Sequence, residues 1–524
     1  MLSTLSEKKL HIVRWCIFLA WCLLIVSLFY DPFSTVLSDP QTSWSWLADR
    51  HVALSADPSE CIKVQDQCIP LSPYPIGTRI FWGMVVPSAI FIVLVFGHEF
   101  WRRICPLYFF SQLPRALKIE PLFDIERNTW LKQNHFYVQF VLFYLGITAR
   151  ILFVNSSRAT AGTFFILTLL FAAGMVILYG GRSWCHYVCP FGLVQTVFTG
   201  PRGLLASQAH TVKPYSITQS MCRSIDSAGN EQSACISCKS ACMDIDAEQS
   251  YWTQLYKPGR RLVQYGYLGL VIGYFCYYWL YSGNFAYYFS GVWSHEMLSV
   301  DTLLGPGLYI SQRAFAIPKL IAAPLTLAIF AAASCWICTR VERFYRGTLK
   351  RKDPMATAEQ SLHRMFSVCT FIAFNIFFIY GGRPEVNNLP IFVQFGFQML
   401  IAMVSSLWLY RTWDRREEQY EQERAAEKHR RQIRKLPVNI SSFLKGRTLE
   451  QLEAKEVAVL FEALPSLLNT LSLPSQAAAQ AVEKIEISPL PKTALRNRNF
   501  VNNEAPKTQC INRAKTHIPS SRQL

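Results

Sequence analysis

Residues 161–192 read AGTFFILTLLFAAGMVILYGGRSWCHYVCPFG. The run 161–180 holds no charged residue. A helix needs roughly 20 such residues to cross a hydrocarbon core about 30 Å thick, so this stretch predicts a membrane helix. It then meets Arg182, Cys185 and Cys189-Pro190 at once. A membrane helix that ends on thiols and a cation fixes two expectations. The fold is an all-α membrane protein, and its chemistry sits at one membrane face.

Comparable apolar runs lie near 11–30, 80–99, 136–155, 262–282, 315–335, 365–381 and 391–410, so the sequence predicts about eight transmembrane helices. Composition agrees: 51% of the 524 residues are hydrophobic, 14% aromatic and only 17% charged. The first run is too long for a signal-peptide core and lacks a small-residue cleavage site, so it reads as a membrane helix. The net charge of +17 is concentrated beside apolar runs, where anionic lipid rather than nucleic acid is the expected partner.

Lys and Arg collect in alternate loops. Arg102, Arg103, Arg115, Lys118, Arg127 and Lys132 follow the second run, and Arg340, Arg343, Arg346, Lys350, Arg351 and Lys352 follow the sixth. The loop after the fourth run is similarly basic, whereas the intervening loops carry little beyond Arg158 and Arg313. The positive-inside rule then puts both termini in the cytosol, in a bacterial cytoplasmic (inner) membrane. The expected organisation is an N-terminal membrane helix (1–30), an outward loop (31–79) and a polytopic membrane domain (80–410) containing an iron–sulfur segment (181–261). A cytosolic helical segment (411–471) and a basic, proline-interrupted, disordered tail (472–524) complete it. Within the helical segment, Thr448 and Gln451 form a candidate capping box before Leu452.

Orientation sorts the cysteines. Cys61 and Cys68 share the outward loop, where an oxidising compartment favours a disulfide. Cys16, Cys22, Cys276 and Cys369 lie inside apolar runs and read as packing residues. The rest fall on the cytosolic side, where clustered thiols are metal ligands rather than disulfides. Bacterial ferredoxins use Cys-x2-Cys-x2-Cys-x3-Cys-Pro, with the fourth cysteine serving a different cluster from the first three. Cys235, Cys238 and Cys242 reproduce the last three positions, Cys222 is a displaced first position, and Cys185 with Cys189-Pro190 reproduces the end of a second run. This spacing favours a [4Fe–4S] cluster over zinc. One cluster then takes Cys222, Cys235, Cys238 and Cys189. Cys185 and Cys242 remain; Cys105 and the pair Cys335 and Cys338 are the candidates to complete a second. One cluster is expected, with two as the upper count. Cys105-Pro106 and Cys189-Pro190 also read as copies of one motif, with Trp101 standing where the second copy has Cys185.

Cys-x3-Cys-Pro at a cytosolic helix end, joined to a ferredoxin-like cysteine run, resembles the membrane polyferredoxins of the NapH, NosR and CcoG kind over roughly residues 80–350. The resemblance implies a helical membrane domain with cytosolic [4Fe–4S] clusters. It also implies electron transfer between a quinone pool or cytosolic donor and a redox partner protein, as part of an oxidoreductase system. The sequence departs from the pattern at Trp101, at the displaced Cys222 and at Met243, where a proline would follow Cys242. The alternatives are an enzyme that itself reduces a metal ion or lipid-soluble substrate, and an assembly or sensor protein with a structural cluster. His98-Glu99 and His295-Glu296 are candidate haem or quinone contacts, and His186 is placed to tune a cluster through hydrogen bonding.

Overall fold

A computed structural model describes residues 7–38, 61–65, 67–70, 75–117, 119–123, 128–180, 182–205, 223–225, 231–233, 246–294, 296–354, 357–387, 389–434 and 447–470. Cys222, Cys235, Cys238, Cys242, His295 and the tail 472–524 lie outside them. The chain divides into two units, Met1–Glu427 and Lys428–Leu524.

The first unit is mostly helical: α1 (Glu7–Phe29), α2 (Val86–Ile104), α3 (Pro106–Ser111), α4 (Thr129–Ala149), α5 (Arg158–Tyr179), α6 (Pro190–Thr199), α7 (Tyr267–Ser282), α8 (Lys319–Lys352), α9 (Ala358–Tyr380), α10 (Ile391–Trp413) and the start of α11 (Glu417–Ile433). Seven helices among the described residues are long and apolar enough to cross a membrane, those of α1, α2, α4, α5, α8, α9 and α10. The eighth expected run, 262–282, does form a helix, Leu262–Gly266 leading into α7, but is not among the seven. The reason is its position. Twelve of the sixteen residues of α7 are buried, so it faces protein rather than lipid and carries tyrosine where a lipid-facing helix carries leucine. Gln264 is satisfied there by Phe366 O (3.0 Å) and Thr370 Oγ1 (2.7 Å). The helix sits hard against α8. A Cβ on Gly269 would lie 2.4 Å from Phe330 O, and one on Gly273 2.8 Å from Phe330 Cβ, so this Gly-x3-Gly stripe lets the two backbones touch. The sixth run also shifts: residues 313–318 pair as a strand with 306–310, and the helix begins at Lys319 and runs to Lys352.

At the end of α7, Lys319 Nζ lies 2.7 Å from Glu296 Oε2, with both side chains buried. Tyr287 donates to Glu296 Oε2 at 2.6 Å and Tyr281 donates to Oε1. Removing one partner strands a buried charge, which costs about 3–5 kcal/mol, whereas replacing both with apolar residues is near neutral. Glu296→Met should therefore lower the thermal midpoint of the purified protein markedly. Adding Lys319→Met should restore the part due to the stranded charge, while the Tyr281 and Tyr287 hydroxyls stay unpaired; a double variant no better than the single would refute this account.

The strands Cys61–Val64 and Gln67–Pro70 form an antiparallel hairpin closed by a Cys61–Cys68 disulfide, with Cα atoms 5.4 Å apart. Gln65 Nε2 at its turn donates to Pro306 O (2.9 Å), so this hairpin lies at the Glu296–Lys319 end. Thiol labelling of intact cells should mark Cys61 and Cys68 only after reduction. Labelling confined to lysed cells would reverse the topology.

In the second unit, the backbone N–H of Thr448 donates to Gln451 Oε1 at 2.7 Å. The expected capping box closes a single turn, Leu449–Gln451, and the helix proper, α12 (Ala454–Thr470), starts after it. His429 stacks on Phe461 at 3.9 Å between ring centroids.

Candidate iron–sulfur centre

Two copies of one backbone motif build the site. The helical path of α2 breaks at Gly97 (φ 75°, ψ 177°), and α5 ends at Gly180 (φ 68°, ψ −176°). Only glycine adopts these angles without strain. Two carbonyls before each break are left for other donors, and the copies supply them reciprocally. Leu204 and Leu205, which follow the second Cys-Pro, donate to Leu94 O (2.9 Å) and Val95 O (2.6 Å) in front of Gly97. Leu122 and Phe123, which follow the first, donate to Ile177 O (3.2 Å) and Leu178 O (2.7 Å) in front of Gly180. Helix α3 of the first copy packs on α5, and α6 of the second packs on α2.

Each break is followed, four residues on, by a tryptophan: Trp101 and Trp184. Cys105 N–H donates to Trp101 O at 3.0 Å, across an ordinary α turn. Cys189 N–H donates to Trp184 O at 2.7 Å across one residue more, because Trp184–Val188 is a π-helical turn. A π turn accommodates one extra residue, and such turns concentrate at functional sites. Trp101 therefore corresponds to Trp184 as counted from the glycine. Cys185 lies in the turn that holds the extra residue, rather than being a ligand that Trp101 replaced. The two Cys-Pro cysteines share one extended conformation, φ −63°, ψ 117° at Cys105 and φ −54°, ψ 119° at Cys189. Each precedes a proline that opens a helix, where its missing N–H costs nothing.

This framework makes Cys105, Cys185 and Cys189 mutual neighbours. Backbone N–H groups of Leu107 and Tyr108 bond to Cys105, and those of Phe191 and Gly192 bond to Cys189. Gly192 lets the Cys185 carbonyl approach, since a Cβ there would stand 2.9 Å from it. Burial, reinforced by the Cys185 thiol, pushes Cys105 up to about 12 despite the Arg182 guanidinium; burial with Cys185 and Cys105 raises Cys189 well above the ordinary thiol range. Cys105 and Cys189 do not ionise together unless a cation joins them, which is the condition an iron centre meets. Among the described residues, no three Cys, His, Asp or Glu side chains stand at metal-binding spacing.

The sulfurs line one end of a cavity of about 800 Å³. That end also carries His98, Arg102, Arg182 and Gln195; the remainder is walled by apolar side chains such as Ile17, Trp21, Phe81 and Phe165. His186 follows Cys185 in the π turn, and its carbonyl accepts from Gln139 Nε2 at 3.1 Å. Cys335 and Cys338 stand apart from this cavity: Cys338 Sγ lies 3.9 Å from Cys369 Sγ of α9, a residue read in the sequence as packing. The described strands 223–225 and 231–233 pair antiparallel, with Arg223 opposite Ser233, next in the chain to Cys222 and near Cys235. The segment re-enters at Asp246 and Glu248. Asp246 Oδ2 accepts from Tyr420 (2.7 Å), and Glu248 pairs with Arg415 (2.6 Å) and Arg202 (3.0 Å).

Residues 161–205, which span α5, the π turn, Cys189 and the Leu204–Leu205 crossing, match the family model of a 4Fe-4S binding domain. The cofactor is a [4Fe–4S] cluster. No curated protein and no solved structure matches the chain. The helix-end cysteines fit the group, since Cys105 and Cys189 receive backbone N–H groups and Cys105 interacts with the buried Arg182 guanidinium. When bound, the cluster supplies one-electron transfer.

Proposed function

We propose that this membrane protein passes electrons between a quinone pool or cytosolic donor and a redox partner protein. Its cluster draws its four thiolates from among Cys105, Cys185 and Cys189 on the helices and Cys222, Cys235, Cys238 and Cys242 on the segment that joins α6 to residue 246. The observation that carries this reading is the meeting of three cysteines, from two crossed copies of one motif, in a cavity walled largely by apolar side chains. An isoprenoid tail suits those walls, and the end with His98, Gln195 and the two arginines suits a polar head.

The paired strands 223–225 and 231–233 belong to the stretch of sequence between Cys222 and Cys235, so we read Cys222 as the first ferredoxin-like position with this paired-strand insertion after it. With Cys335 and Cys338 assigned to packing beside Cys369, seven thiols remain. Two cubanes need about eight, so we assign one cluster and expect about four irons per chain. We count eight crossings, with the tyrosine-rich α7 as the buried eighth; an even number puts both termini on one side, and the Lys- and Arg-rich loops argue for the cytosolic side of a bacterial inner membrane. The test is direct. Dithionite should bleach the visible band of the reconstituted protein, and a soluble quinone analogue should restore it. Failure of the quinone, with recovery by a soluble acceptor, would leave only the cytosolic route; a colourless, iron-free preparation would end the electron-transfer reading.

A further inference from the structure

Two indole N–H groups are left over at the centre. Trp101 Nε1 and Trp184 Nε1 are both buried, and neither donates to an acceptor among the described residues. Trp184 is 2% exposed, with its ring edge-on to Phe171 at 5.4 Å. The Trp101 ring lies 4.9 Å from that of Phe191, two residues past Cys189. Both tryptophans line the cavity that Cys105, Cys185 and Cys189 line. They hold equivalent places in the two copies, four residues past the breaking glycine, and the carbonyl of each accepts from the N–H of its own Cys-Pro cysteine.

An indole is a donor only, and buried donors find partners as a rule. Two equivalent donors without one among the described residues, in the cavity that three sulfurs line, call for an acceptor in that cavity. We propose that Trp101 and Trp184 donate their indole N–H groups to sulfur atoms of the [4Fe–4S] cluster and thereby raise its reduction potential. Thiolate and sulfide sulfurs accept hydrogen bonds, and these bonds strengthen as the cluster gains negative charge. A donor present in both redox states therefore favours the reduced one. Trp101 and Trp184 tune the cluster in this scheme; the ligands remain the cysteines.

The proposal rests on the cluster seating given above, and iron content separates the two. Trp101→Phe and Trp184→Phe keep an aromatic ring and remove the N–H. Each should hold wild-type iron while shifting the one-electron equilibrium towards the oxidised form by on the order of threefold to tenfold, tenfold being ~59 mV. The double variant should shift further. The second measurement needs no variant: in protein grown on 15N-indole-labelled tryptophan, pulsed EPR of the dithionite-reduced cluster should show 15N hyperfine coupling. Coupling should diminish in each single variant that loads. Full iron with no 15N coupling in the wild type, or unchanged potentials in both loaded variants, would overturn the donor role while leaving the seating intact. Loss of iron from the cysteine variants but not the tryptophan ones would confirm that the two failures are separable.

Discussion

Cys105→Ser and Cys189→Ser should each take the purified protein from about four irons per chain to nearly none, with loss of its visible absorption, while Cys338→Ser and Cys369→Ser keep both. The contrast follows from surroundings rather than residue type. Cys105 and Cys189 are raised well into the range where a thiol stays protonated, by burial and by one another, so only bound iron makes their thiolates stable. A serine supplies neither a soft ligand nor a readily ionised one. Cys338 already has a sulfur partner in Cys369, 3.9 Å away, and Ser334 Oγ at the same distance. Its loss removes packing and a weak hydrogen bond, and α8 and α9 retain the rest of their contact. Retention of iron by Cys105→Ser would remove the first copy from the centre. Loss of iron in Cys338→Ser would return Cys335 and Cys338 to the ligand set.

Much of this was readable from residues alone because lipid is a demanding solvent. Apolar length predicts α1, α2, α4, α5, α9 and α10 since nothing else satisfies a backbone in hydrocarbon. The Cys-Pro repeats were legible for a similar reason, as each proline must begin a helix and fixes its cysteine at the start. Three features were not. The tyrosine-rich α7 is buried by protein, so its composition answers to neighbours that local hydropathy does not see. Cys369 is paired with Cys338 across a separation of 31 residues, which no spacing rule covers. The relation of Trp101 to Trp184 was hidden by a single inserted residue. Counting back from Cys-Pro aligns Trp101 with Cys185, whereas counting forward from Gly97 and Gly180 aligns the two tryptophans. The backbone hydrogen bonds decide for the second. Gly-x3-Trp at 97–101 and 180–184 was the signal in the sequence that could have shown it.

Gly203 makes the sharpest demand on this arrangement, and Gly203→Ala should damage both fold and cofactor. An added Cβ would stand 2.5 Å from Gly97 N, 2.8 Å from Gly97 Cα and 3.1 Å from Phe96 C. All three are backbone atoms, so no side chain can swing aside. Overpacking of this kind costs about 1–3 kcal/mol. Here it also pushes away Leu204 and Leu205, whose N–H groups satisfy Leu94 O and Val95 O at the break in α2. Leaving those buried carbonyls unpaired adds about 1–3 kcal/mol each. The strain falls on the segment that carries Trp101 and Cys105, so iron occupancy should drop with the thermal midpoint. Gly174→Ala is the matched control within α5: a Cβ there meets nothing within 4 Å and the residue sits inside a helix. Replacing an interior helical glycine by alanine favours the helix by up to about 1 kcal/mol, so its midpoint should hold or rise with iron unchanged. If Gly203→Ala matched Gly174→Ala in both readings, the crossed backbone contact would not be what holds the two copies around the cluster.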